Sequence, residues 1–268
     1  FLLREFSVHF YGNEVAFGFV LGSWLLWGGL GSITASKLKF HPRQFPLFYY
    51  AVCFFFPLCL VGLRLSRFAL HILPGETSGV FPMFISSLLV SFLVGFPLGI
   101  LFVFNALFQK GDLFKVYVME SLGSAAAGVI VYLFLIPLFS NWEGAAITSG
   151  VVSFSAFFTF GERKKRALIL FALLSLIVFS ALDFPSQKLY WSPFHLVQSK
   201  DSPYGKLQVI QTEEQTSLYN NSLLVYSYPN LAASEESVHF ALLQNPQAES
   251  VLLIGGGAGG GLRQVLKY

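Results

Sequence analysis

Apolar positions in this chain run first in long uninterrupted stretches and later in short alternating ones, and the change falls near Asp183. Six stretches approach the roughly 20 residues that a helix needs to cross a hydrocarbon core. They are Val15 to Thr34, Pro46 to Leu63, Val80 to Leu107, Val116 to Leu138, Gly144 to Phe160 and Ala167 to Leu182. Each is bounded by charge or by Pro and Gly, and inside a bilayer such a stretch can satisfy its backbone only as a helix. Gly18 and Gly22 form G-x-x-x-G, and Ser124 and Gly128 form a small-x-x-x-small pair. Both predict close helix contacts, with the lining of a substrate path as the alternative.

After Asp183, charge and Asn, Gln and Ser return and the segments shorten to strand length. His195 to Ser199 and Lys206 to Thr212 predict strands around a turn at Asp201 to Gly205. Ser217 to Tyr219 and Leu223 to Ser227 predict a hairpin around Asn220, Asn221 and Ser222, residues that tolerate left-handed backbone. Ser234 predicts a cap for a helix through Glu235, Glu236, Val238, Phe240 and Leu242, with Pro246 just past its end. Val251 to Ile254 predicts a strand, and Leu262 to Lys267 a helix.

Composition agrees with lipid as the solvent of the first part. The chain is 54% hydrophobic, with mean hydropathy +0.64 and only 12% charged residues, against about 25% in ordinary globular domains. The net charge of +3 is small and its basic groups sit in clusters between apolar runs, which gives no nucleic-acid surface. Cys53 and Cys59 share one apolar run and read as buried small hydrophobes. No metal-ligand cluster is expected. The chain opens at Phe1 without an initiator Met and stops one helix after a glycine turn that ordinarily opens a longer domain, so it reads as an internal piece.

Glu120 is the carboxylate nearest a span interior, and an intramembrane acid points to function by default. Its place in the first turns of its helix near Lys115 supports the plainer role of an interfacial acid favouring the positive helix end. Lys37, Lys39, Arg43, Lys110, Lys115 and the cluster Arg163 to Arg166 outnumber Arg64 and Arg67 in the alternate loops. The positive-inside rule then places the segment after Leu182 on the outer side, where a nucleotide-using domain is not expected. Re-entry of Val80 to Leu107, interrupted by Gly95 and Pro97, would reconcile the two.

Val251 to Gly261, VLLIGGGAGGG, joins an apolar run to a glycine-rich turn. Gly255, Gly257 and Gly260 satisfy G-x-G-x-x-G between a predicted strand and a predicted helix, which lets backbone amides approach a nucleotide. Gly255, Gly256, Gly257, Gly259 and Gly260 are the candidate cofactor-binding residues. A tight strand-to-helix connection in a domain that binds nothing is the plain alternative.

Three blocks resemble the spermidine synthases, or polyamine aminopropyltransferases, and in particular bacterial members whose catalytic domain follows a bundle of membrane helices. They are Ser202-Pro203-Tyr204-Gly205-Lys206-Leu207, then Leu218 to Ser222 leading to Glu235-Glu236, and Val251 to Lys267. The membrane part fits through FYGNE (Phe10 to Glu14), WLLWGGLGS (Trp24 to Ser32) and ESLGSAAAG (Glu120 to Gly128). The resemblance also suggests Phe1 to Leu3 as the tail of a seventh helix. It implies a multi-pass α-helical membrane bundle (1–182), a small β region (183–233) and the start of a methyltransferase-like Rossmann α/β domain (234–268). It further implies a bacterial plasma-membrane enzyme, with aminopropyl transfer from decarboxylated S-adenosylmethionine to a diamine such as putrescine and no tightly bound cofactor. Glu235, Glu236 and His239 are the candidate substrate residues. The ribose-binding carboxylate and the catalytic Asp of the family are expected beyond Tyr268. Lipid bilayer, nucleotide donor and amine acceptor are the implied partners, and the oligomeric state stays open, a homodimer included.

Three positions depart from the family pattern. Gly205 stands in place of a Gln, Phe240 in place of a ligand-contacting His, and Ala258 in place of an Asp in the glycine loop. Losing one partner of a buried charge pair costs on the order of 3 to 5 kcal/mol. That is roughly two to four decades of affinity for a cationic ligand. Glu235 and Glu236 are the acids at hand to compensate. His239 is one position from the family's His and about 100° away on a helix. Tyr204 is expected to pack rather than to touch a ligand. Two other functions therefore stand beside aminopropyl transfer: another S-adenosylmethionine-dependent transferase of methyltransferase type, and a transporter or sensor with a non-catalytic soluble domain.

Overall fold

A computed structural model describes residues 1–38, 44–70, 72, 76, 78–159, 162–245 and 247–268; Lys39, Arg43, Phe160 and Pro246 lie outside them. The long apolar stretches become helices. They are α1 (Leu2–His9), α2 (Glu14–Leu38), α3 (Phe45–Ala69), α4 (Val80–Phe108) and α5 (Leu113–Ile130), which runs through a π turn at Val131–Leu135 into α6 (Ile136–Leu138). α7 (Asn141–Thr159) and α8 (Glu162–Trp191) follow. Among the described residues, Glu14–Leu38, Leu47–Ala69, Val80–Phe108 and Leu113–Leu138 are long and apolar enough to cross a membrane. The shortest, 23 residues, extends about 34 Å against a core of about 30 Å. The fifth and sixth expected spans lie on α7 and α8, part of which falls outside the described side chains, and are not among these four. Phe1 to Leu3 leads into α1, which buries one face through Leu2, Glu5, Phe6 and His9 at helical spacing.

The small residues that bring helices together are not the pairs singled out from spacing. A Cβ on Gly18, Gly22 or Gly128 would meet nothing within 4 Å. The close approach is α2 against α4. A Cβ on Gly99 would overlap the Gly28 carbonyl, one on Gly31 would overlap that of Phe96, and one on Gly95 would lie 3.3 Å from the Trp24 oxygen. Ser32 Oγ seals the crossing by donating to the carbonyls of Gly28 at 3.0 Å and Gly99 at 2.9 Å. G-x-x-x-G marks a surface on which backbones can meet, and the partner decides whether they do. Val80–Phe108 is one continuous helix with Pro97 inside it, so re-entry at Gly95 and Pro97 does not reconcile the charge count. Packing against α2 holds the helix across Gly95 and Pro97, which intrinsic propensity alone would break.

Four strands form an antiparallel meander, β1 (His195–Ser202), β2 (Gly205–Gln211), β3 (Thr216–Asn220) and β4 (Leu223–Tyr228), in the order β1-β2-β3-β4. Asn221 and Ser222, with φ of 48° and 63°, make the tight β3–β4 turn. The β1–β2 tip is Pro203-Tyr204, where Tyr204 is 93% exposed rather than packed in, against expectation. Gly205 follows the tip. A Cβ there would lie 2.6 Å from Asn221 Oδ1, which accepts the Lys206 amide at 2.9 Å. A side chain at this position would fit only if the Asn220 and Asn221 amides moved aside.

α8 continues past Leu182 to Trp191, and its end supplies the core of the sheet: Tyr190 and Trp191 pack with Leu196, Ile210 and Tyr219. Side chains alternate along β2, so Lys206, Gln208 and Ile210 share the inward face and are buried. Two polar groups thus point at the bundle. They meet a buried charge cluster: Arg64 of α3 donates to Glu5 of α1 at 2.5 Å and to Asp183 of α8 at 2.9 Å, and lies 4.0 Å over the Trp142 ring. Asn141 also donates to Glu5, at 2.8 Å, and Asp201 of β1 reaches Arg4 at 3.8 Å and Lys206 at 3.7 Å. Arg64 is therefore consumed at the end of the bundle that carries the sheet, where Arg67 is buried over the Tyr190 ring, while Lys110 and Lys115 lie at the other end.

These contacts predict an acid-sensitive fold. Burial pushes the Glu5 carboxyl up, but Arg64, Lys206 and Asn141 outweigh it and hold it at about 2, below the ordinary 4.5. Burial, reinforced by Arg67 against the opposing pull of Glu5, pushes the His9 imidazole down from 6.5 to about 3. In both cases the unfolded chain takes up protons that the folded chain refuses. Stability is full above about pH 6.5, falls first through His9, and below about 4.5 through Glu5 as well. Thermal unfolding in nanodiscs at pH 7, 5.5 and 4 is expected to show a falling Tm, with the first drop removed in His9→Gln. A Tm flat across that range would contradict the cluster.

Candidate functional site

The glycine turn follows α9 (Leu231–Leu242) and opens α10 (Gly261–Val265). α9 starts earlier than expected. Asn230 Oδ1, not Ser234, caps it by accepting the Ala233 amide at 3.1 Å, and Leu231, Ala232 and Ala233 are good helix formers. Ser234 is instead inside the helix and buried. The expected strand Val251 to Ile254 is not a strand here; it pairs with no neighbour, and Leu252 and Ile254 are 85% and 87% exposed. A strand exists through its ladder, and β1 to β4 already pair among themselves in a separate meander.

The turn itself is built as glycine requires. Gly255, Gly256 and Gly260 have φ of 75°, 69° and 90°, a region that costs an L side chain roughly 1 to 2 kcal/mol. Gly257–Gly259 make one 3-10 turn. The turn has two sides. Gly259 and Gly260 rest on β4 and α9, where added Cβ atoms would lie 3.5 Å from Tyr226 and from Ser234. A Cβ on Gly255, Gly256 or Gly257 would meet nothing within 4 Å, so their backbone faces open space. Gln264, 2% exposed, donates to Ser234 Oγ at 3.2 Å and locks α10 to α9. Tyr226, Tyr228, Ser234 and Gln264 form this support; the sequence marked Ser234 only as a cap and gave no role to the other three. The i, i+2 spacing of the two tyrosines on one strand face was the available signal.

The candidate substrate residues are not gathered at the open side of the turn. Glu235 pairs with Lys267 at 3.5 Å across a solvent-exposed gap, a contact worth little. His239 Nδ1 lies 2.6 Å from the Tyr268 hydroxyl. Glu235 and His239, one helical turn apart, thus lean toward the end of α10. Glu236 is exposed, lies about 200° around the helix from Ser234, and makes no hydrogen bond or ion pair among the described residues. Phe240 is 71% exposed. No group of three or more His, Cys, Asp or Glu side chains able to hold a metal ion occurs among the described residues.

The family model described as spermine/spermidine synthase domain matches residues 230–268, from the cap of α9 through α10 to Tyr268. A polyamine aminopropyltransferase of Oceanobacillus iheyensis is 37% identical over 83 residues, 31% of this chain and 16% of that protein. One of Leptospira biflexa is 31% identical over 74 residues, 27% of this chain and 26% of that protein. One of Leptospira interrogans is 26% identical over 206 residues, 70% of this chain and 40% of that protein. That last match is longer than the whole stretch from Asp183 to Tyr268, so it runs into the helical part. The chain thus spans well under half the length of each of these relatives. No solved structure matches.

Proposed function

We propose, on the premise that this chain is a spermidine synthase-like protein carrying the opening of that synthase domain, that the complete protein is a membrane-anchored aminopropyltransferase. Decarboxylated S-adenosylmethionine would lie over the open backbone of Gly255, Gly256 and Gly257, and a diamine such as putrescine would attack its aminopropyl carbon in line. The new C–N bond forms as the C–S bond breaks, the thioether leaves, and the amine proton passes to a base supplied outside this segment. The observation that carries the reading is the left-handed glycine turn, supported from behind by Tyr226, Tyr228 and Ser234 and free in front. What this segment contributes is position: a backbone pre-shaped for close approach needs no rearrangement when the donor arrives. The four long apolar helices anchor the domain in a bilayer.

Ala258 and Phe240 favour a second reading, a transferase of methyltransferase type that uses ordinary S-adenosylmethionine, because both stand where the family places groups that meet a cationic ligand. Titration calorimetry on the complete protein in nanodiscs separates the two. Tighter binding of the decarboxylated donor, weakened about tenfold in Gly256→Val by a left-handed penalty of roughly 1.4 kcal/mol, supports the first. Preference for the carboxylated donor selects the second, and binding of neither donor overturns both.

A further inference from the structure

At the end of the bundle away from the sheet, α4 stops at Phe108 and α5 starts at Leu113, and a cavity of about 290 Å³ opens between them. Four polar side chains line it: Asn105 and Gln109 from α4 and its end, Lys115 and Glu120 from α5. None of the four makes a side-chain hydrogen bond or ion pair among the described residues. Phe108, Val116 and Met119 supply the apolar wall. Lys115 and Glu120 are five residues apart, about 7.5 Å along the axis, so the helix itself does not seat one charge on the other.

We infer that this cleft seats the headgroup of an amine-bearing phospholipid, with Lys115 and Gln109 meeting the phosphate and Glu120 and Asn105 meeting the ammonium. The inference rests on the membrane reading above, which places the cleft within the first turns of α5 and the last turn of α4, at the level where headgroup meets acyl chain. Charge complementarity selects the occupant. A lysine alone would take any anionic lipid, but the carboxylate repels a net-negative headgroup and needs a donor to offset the cost of an acid near hydrocarbon. A primary ammonium donates up to three hydrogen bonds, whereas a trimethylated one donates none. The wall of Phe108, Val116 and Met119 suits the first carbons below the glycerol. This gives Glu120 a role that proton coupling does not require.

The complete protein is first expressed in membranes and washed with alkaline carbonate. Release would overturn the membrane reading and the lipid seat together. Retained protein is then placed in nanodiscs containing equal parts of phosphatylethanolamine, phosphatidylcholine and phosphatidylglycerol, extracted mildly, and its co-purifying lipid read by native mass spectrometry. Wild type is expected to retain phosphatidylethanolamine about tenfold over the other two. Glu120→Gln is expected to raise phosphatidylglycerol to parity with phosphatidylethanolamine, and Lys115→Gln to lose the preference for phosphatidylethanolamine altogether. Both positions are exposed on α5, so neither change disturbs packing. Equal retention of the three lipids by wild type, or a preference unchanged in Glu120→Gln, would overturn the seat while leaving the membrane reading intact.

Discussion

Arg64→Leu is expected to destabilise the protein by about 3 to 5 kcal/mol, the largest loss that a single side-chain truncation should produce in this fold. Arg64 is 6% exposed and holds two buried carboxylates at once, Glu5 at 2.5 Å and Asp183 at 2.9 Å, from helices that are otherwise far apart in the chain. It also covers the Trp142 ring and donates to Ser186. Leucine fills part of the volume and removes the cation that both carboxylates share, leaving Glu5 buried with only Lys206 and Asn141 to offset it. Arg64→Lys keeps the charge but cannot bridge two acids with a planar fork, so it is expected to fall between wild type and Leu. Thermal or denaturant unfolding in nanodiscs, followed through the buried indoles of Trp142 and Trp191, measures all three. A Leu variant within 1 kcal/mol of wild type would show that α1, α3 and α8 are not joined through this residue. The triple change Glu5→Gln, Arg64→Leu, Asp183→Asn should recover much of the loss, because it removes the uncompensated charge and not only the pair.

Gly99→Leu should be nearly as damaging, for a steric reason. At this position the added Cβ falls on the Gly28 carbonyl, and the obstacle is backbone, which cannot rotate aside. α2 and α4 must therefore separate, and Ser32 must give up its bond to Gly99 O. Overpacking of this kind typically costs 1 to 3 kcal/mol, and backbone displacement places Gly99→Leu at about 3 kcal/mol or above. Gly22→Leu is the matched control, since nothing lies within 4 Å of its Cβ direction and the change is expected to be close to neutral. Unfolding temperatures of both variants in nanodiscs check the pair. Equal effects at the two sites would mean that α2 and α4 do not cross at Gly28 and Gly99.

That contrast shows how far local pattern reaches. Gly18 and Gly22 share the G-x-x-x-G spacing with Gly95 and Gly99, yet it is Gly95 and Gly99, facing Gly28 and Gly31, that make the crossing. Nothing in the spacing ranks one pair over the other, because a helix offers several small-residue faces and its partner takes one. The same limit applies to Ser234, whose S-E-E context resembles a helix start while Asn230, four residues earlier, makes the cap. At the candidate site the glycine turn was legible because left-handed backbone leaves a compositional trace. The floor beneath it was not, because Tyr226, Tyr228 and Gln264 have no chemistry that distinguishes them until the chain folds over them.

By itself, the sequence determined that long helices give way to a short-stranded sheet, since the lengths of apolar runs are local properties, but not that α8 carries on past Leu182 to Trp191. It also determined the two tight turns at Asn221-Ser222 and Gly255 to Gly260, which only residues tolerant of positive φ can make. Only the tertiary structure decided that β2 turns Lys206 and Gln208 inward rather than Leu207 and Val209. The choice depends on Glu5, Asp201 and Gln187, which the fold brings alongside the strand. A polar face is buried where charged and polar partners meet it, and Glu5 and Gln187, far from β2 in the chain, leave no mark on the pattern of the strand itself.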